Sequence, residues 1–158
     1  MYVQDNGRHT AFGNQLIEVH QWLREELARL RDDLDAYLDG AADRPQPLQA
    51  HCLTFCQALT RHHTGEDGGP FPALAEQFPE LRPTIDRLMQ DHDLISGILA
   101  RMETILDGPD DVGKVRRELD GLAAIMESHF AYEERTIFAA LNALDLPGEG
   151  TPEFLRTD

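Results

Sequence analysis

Six polar residues, His20, His62, Glu66, His92, His129 and Glu133, occupy positions that Leu, Ile, Phe and Met fill elsewhere in the same periodic stretches. Buried imidazoles and carboxylates are costly unless they are paired or bind a metal. His62 with Glu66 and His129 with Glu133 have HxxxE spacing, which stacks the two side chains one turn apart on a single helix face. Each pair offers a nitrogen and an oxygen to one cavity. Four imidazoles and two carboxylates are too many ligands for one ordinary site, but they suit two metals bridged by the carboxylates, a known construction inside helix bundles. The reading is His20 and His62 on one metal, His92 and His129 on the other, with Glu66 and Glu133 shared. A mixture of imidazole and carboxylate favours iron over soft-metal chemistry, although zinc, manganese and copper accept the same ligand types.

The elements that must position these residues are four helical stretches separated by Gly and Pro clusters, with no strictly alternating strand pattern. The first, roughly Gly13 to Leu38, carries the seam Leu16, His20, Leu23, Leu27, Leu30, Leu34, Tyr37. The second, roughly Pro47 to Thr64, continues as Leu48, Cys52, Phe55, Leu59, His62, Glu66, and the segment from Gly65 onward is expected to stop it. The third, roughly Pro79 to Leu106, reads Ile85, Leu88, His92, Ile95, Leu99, Met102, Leu106; the fourth, roughly Val112 to Leu144, reads Leu119, Leu122, Met126, His129, Glu133, Thr136, Ala140. Steps alternating between three and four, with short connections after the first and third helices, predict an all-α, up-down-up-down four-helix bundle.

Axial levels test the site. At about 1.5 Å per residue, His20 lies about 27 Å from the end of its helix and His62 about 23 Å from the start of the next; in the second hairpin the figures are about 21 Å for His92 and about 26 Å for His129. All four imidazoles should therefore meet near one end of the bundle, beside the one long connection, residues 67 to 78. The expected division is a bundle over residues 1–146 and a loosely attached C-terminal tail over 147–158.

Neighbouring residues receive simpler roles. His63 points about 100° away from His62 and reads as a surface residue or an outer partner. His51 reads as a core or surface histidine, and His9 precedes the first helix on the site end, with a cap over the cavity only its secondary reading. Asp93 and Glu134 should be solvated acids; Tyr37 and Tyr132, amphipathic packing; Trp22 and Phe130, inter-helix packing that limits solvent access. Cys52 and Cys56, one turn apart, read as small buried side chains without a chemical role.

With 158 residues, 41% hydrophobic and 27% charged, one soluble domain is expected. The net charge of −15 argues against nucleic acid and anionic membrane as partners, because phosphate binding depends on clustered Lys and Arg. No apolar run nears the roughly 18 residues of a membrane span, and the N-terminal stretch lacks a secretory pattern, so the expected location is cytoplasmic and the expected state a monomer or weak homo-oligomer.

His20, the run HHTGED with His62 and Glu66, DHD with His92, and HFAYEE with His129 and Glu133 resemble the hemerythrin HHE cation-binding family, over His20 to Leu141. The resemblance implies two non-haem iron ions with an oxo or hydroxo bridge, and a small diatomic or peroxide ligand: dioxygen, peroxide or nitric oxide. Two departures stand out against the oxygen-carrying hemerythrins. Their third helix has HxxxH, where this chain has Ser96 one turn after His92, so one iron lacks an imidazole unless His63, His9 or Tyr132 replaces it. They also end with His and, five residues later, Asp, where this chain has Glu133 four residues after His129. The expectation is a di-iron protein that scavenges peroxide or nitric oxide or acts as an oxidase, with sensing of iron, redox state or oxygen, or oxygen storage, as the alternative.

Overall fold

The computed structural model describes residues 11–40, 48–107, 112–146 and 152–157. Among them are four long helices, α1 (Phe12–Leu38), α2 (Leu48–Gly68), α4 (Arg82–Asp107) and α5 (Val112–Ala143), and a short α3 (Pro70–Gln77) between α2 and α4. Short 3₁₀ turns cover Pro79–Leu81 and Glu153–Leu155. Helix α1 packs on α2 and α5, and α4 packs on α2 and α5, which closes a ring of four.

Pairs across the α1–α5 seam fix their direction. Gly13 N donates to Asn142 Oδ1, Arg24 pairs with Glu127, and Arg31 pairs with Asp120. Numbers rise on one helix as they fall on the other, so the pair is antiparallel. His20 beside His62 and His51 between Glu26 and Asp33 give the same sense for α1 and α2. The helical bundle is all-α, as the periodicity predicts. No helix among the described residues is long and apolar enough to cross a membrane.

The seam residues are the core. Leu16, Leu23, Leu27, Leu30 and Leu34 from α1 meet Cys52, Phe55 and Leu59 from α2, with Ile85, Leu88, Ile95, Leu99 and Met102 from α4 and Leu119, Leu122 and Met126 from α5. Burial of so many large side chains, at roughly 1.5–3 kcal/mol each, is what holds short-range helices together as one body. Helix α1 ends where Gly40, at a φ of 76°, donates its N–H to Tyr37 O; the left-handed residue terminates the helix because glycine carries no Cβ to clash there.

Three expectations are corrected. Residues 67 to 78 are not an open connection: α2 runs through Gly65 to Gly68, and α3 begins at Pro70, whose fixed φ suits the first helical position. Beyond Glu133 the buried positions are Ile137 and Leu141, not Thr136 and Ala140. Two consecutive steps of four occur because a nearly straight helix turns 3.6 residues per turn and drifts from a strict 3.5 repeat. The C-terminal residues 152–157 are also not loose, since Phe154 and Leu155 are buried against α2 and α1.

Candidate metal centre

His20, His62, Glu66, His92, His129 and Glu133 are all buried and lie together, with α1, α2, α4 and α5 each contributing. They form two overlapping sets. One is His20, His62, Glu66 and Glu133; the other is His63, Glu66, His92 and His129; within each, one ligand atom from every member lies within 4.8 Å of the rest. Glu66 Oε1 is 3.7 Å from His62 Nε2 and 3.1 Å from His92 Nε2. Glu133 Oε1 is 3.6 Å from His20 Nε2 and 3.3 Å from His129 Nε2. Each carboxylate therefore reaches one imidazole on either side, which is the geometry of a bridge.

The outer nitrogens of the rings show which way the inner ones face. His20 Nδ1 is 2.7 Å from Glu134 Oε2, His92 Nδ1 is 2.9 Å from Asp67 Oδ1, and His129 Nδ1 is 3.0 Å from Asp91 Oδ2. His62 Nδ1 is 2.6 Å from the carbonyl oxygen of Phe154. An acceptor at every Nδ1 requires the proton there, so each neutral ring turns its Nε2 lone pair inward. His20 Nε2 and His62 Nε2 then face each other at 3.2 Å, lone pair to lone pair. The inward nitrogens of His63, His92 and His129 and both oxygens of Glu66 and of Glu133 have no hydrogen-bond partner. So many buried, electron-rich atoms pointing at one another are stable only around positive charge, and the donor set fits metal cations.

Electrostatics follow the same crowding. Burial, and then the neighbouring His20, push His62 down to about 4; burial and His129 push His92 down to about 3; burial and His92 hold His63 well below the ordinary range. These three rings are neutral, the form that binds metal. Burial and the charge of Glu133 raise Glu66 well above the usual carboxylate range. Burial also works to raise Glu133, but Glu66, His20 and His129 outweigh it and hold that carboxyl low. For His129, burial is outweighed by Glu133 and Asp91, which raise it.

Several neighbouring residues sit otherwise than the sequence suggests. His63 is buried, 5% exposed, with its ring stacked on His92 at 3.8 Å. A helix surrounded by neighbours buries an arc wider than its a/d seam. Cys56, one heptad before His63, lies on that same flank and was the available signal. Glu134 is not a solvated acid: it holds His20 from behind and meets Arg24 at 3.1 Å. Asp67 and Asp91 play the same part for His92 and His129, and were not singled out from sequence. Ser96 is exposed, about 40° beyond His92 on the solvent side of α4, so it does not mark an empty position in the site.

The remaining neighbours have plainer places. Tyr132 lies outside both sets, with Arg87 and Arg135 over its ring, and Asp93 is exposed. Tyr37 is half-buried against the core. Trp22 is half-buried, and His51 lies between α1 and α2 facing Glu26 and Asp33. His9 falls outside the described residues. Cys52 and Cys56 are buried free thiols, pushed up by burial to about 11 and about 12, and are inert accordingly.

Aromatic rings enclose the centre. Phe130 stacks on His20 at 3.8 Å, and Phe71 of α3 stacks on His92 at 5.4 Å, so the short helix closes the site end of the bundle. Comparison with curated proteins and with solved structures gave no match. The hemerythrin HHE cation binding domain matches residues 13–141, a span that contains every residue of both sets, and the chain belongs to that family.

Proposed function

We propose that this protein holds two non-haem iron ions between the helices and uses them to consume peroxide, with dioxygen and nitric oxide as related ligands. The observation that carries this reading is the sharing of Glu66 and Glu133 between two sets of imidazoles, each carboxylate within 3.7 Å of a nitrogen on both sides. A pair of irons would exchange two electrons, which matches disproportionation: one hydrogen peroxide takes two electrons and two protons to give two waters, and a second gives back two electrons and two protons as it becomes dioxygen.

The chain's own residues set the conditions for that chemistry. Glu134, Asp67 and Asp91 accept the outer N–H of three histidines, which fixes the rings and raises their basicity. Phe71 and Phe130 keep bulk water from the rings they cover. In the metal-free site burial and the Glu133 charge make Glu66 favour its protonated form, so metal that binds there displaces that proton. A sensing role is favoured by one contact: His62 donates to Phe154 O, which ties a ligand ring to the C-terminal segment.

Anaerobic loading with ferrous iron, followed by metal analysis and a peroxide-consumption assay, tests the reading. We expect about two irons per chain and peroxide turnover that disappears on iron removal. One iron per chain, or turnover equal to that of free iron, overturns it.

A further inference from the structure

His63 belongs to one of the two ligand sets but has no part in the four-imidazole reading of the two irons. Its ring is 5% exposed, and its Nε2 is buried without a hydrogen-bond partner. A buried nitrogen without a partner is destabilising, and a Leu or Phe would pack the same space without that penalty. The ring stacks on His92 with the planes 15° apart and meets His129 edge-on at 5.3 Å. One of its nitrogens lies within 4.8 Å of ligand atoms from Glu66, His92 and His129.

We propose that His63 is the third imidazole of the metal held by His92 and His129. The inference rests on the two-iron reading and adds to it an unequal division of ligands. Helix α2 supplies adjacent histidines to the two sets, His62 to that of His20 and His63 to that of His92. Adjacent residues diverge by about 100°, and α2 lies between α1 and α4, so one helix faces both subsites at the same level. The imidazole therefore comes from α2, while Ser96, one turn along α4 from His92, faces solvent. Three imidazoles saturate one metal more fully and leave the His20 and His62 metal, with two, as the one that accepts an outside ligand.

The test is proton NMR of the anaerobic diferrous protein, in which each ligating histidine gives one strongly shifted, exchangeable ring N–H signal. Five such signals are expected in the natural protein and four in His63→Gln. In iron titrations, His63→Gln should weaken one of the two equivalents by tenfold or more and leave the other in place. His63→Leu, which fills the same space, should behave alike; if neither variant folds, the count in the natural protein decides alone. Two bound irons with only four shifted signals, or an unchanged spectrum and titration in both variants, overturn the ligand assignment while leaving the two-iron reading intact. Fewer than two irons in the natural protein overturn both.

Discussion

Gly65→Ala should destabilise this protein, although the same change on an open helix would stabilise it. Gly65 lies inside α2, where replacing glycine by alanine ordinarily gains about 1 kcal/mol. A Cβ at this position, however, would lie 2.8 Å from Phe154 N and 3.0 Å from Phe154 Cα. Both are backbone atoms with no flexible end to swing aside, so the C-terminal segment must lift. Lifting returns Phe154 and Leu155, 1% and 5% exposed, to water at roughly 1.5–3 kcal/mol each. It also breaks the His62 to Phe154 hydrogen bond, worth about 1 kcal/mol. Chain entropy regained by the freed segment offsets a large part of this, and the expected net change is a loss of about 2 kcal/mol. Urea unfolding of the metal-free protein measures it without a contribution from binding. The same substitution in a chain ending at Leu146 should regain the gain of about 1 kcal/mol, because the three atoms nearest the new Cβ all belong to the removed segment. In the 158-residue chain, metal affinity should fall by about 10- to 100-fold as His62 loses its outer partner. An equal stabilisation by Gly65→Ala in both chains would show that the segment does not pack there and refute the reasoning.

Two other results follow from the same contacts. Ser96→His should leave iron content and peroxide consumption unchanged, because the side chain faces solvent; a new iron-bound imidazole in that variant, seen by NMR, would contradict the placement of α4. Metal-free protein should lose stability as pH falls from about 6.5 toward 4. His62 and His92 have folded-state values of about 4 and about 3, below the unfolded value of 6.5, so the unfolded chain takes up protons first. Each such histidine contributes up to about 1.4 kcal/mol per pH unit in this window. Glu66 and Asp67, both raised in the fold, act in the opposite sense and offset two such histidines, while His63 adds to the loss and keeps the net sign. Denaturant midpoints that stay level between pH 6.5 and 4.5 would show that these rings are not buried neutral.

Much of the site was legible because the helical repeat is a strong local constraint. Six polar residues at seam positions have nowhere to point but inward, and a fixed rise per residue sets their level, so His20, His62, His92 and His129 could be placed together from counting alone. The same periodicity gives the mean direction of a helix's buried face and says nothing of its width. On α2 the buried arc extends beyond the seam to take in Cys56 and His63; on α4 it leans toward Ile95 and Leu99 and leaves Ser96 outside. Those widths depend on which helices lie on either side, a property of the assembled bundle. Contacts between distant parts of the chain were equally out of reach. Glu134 behind His20, Asp91 behind His129, and Phe154 seated on Gly65 with its carbonyl on His62 join residues that no local pattern relates. Sequence determined which groups must be neutralised in the interior; tertiary packing decided which neighbours hold each ring, and brought His63 in beside them, because those choices are made by helices meeting across the core.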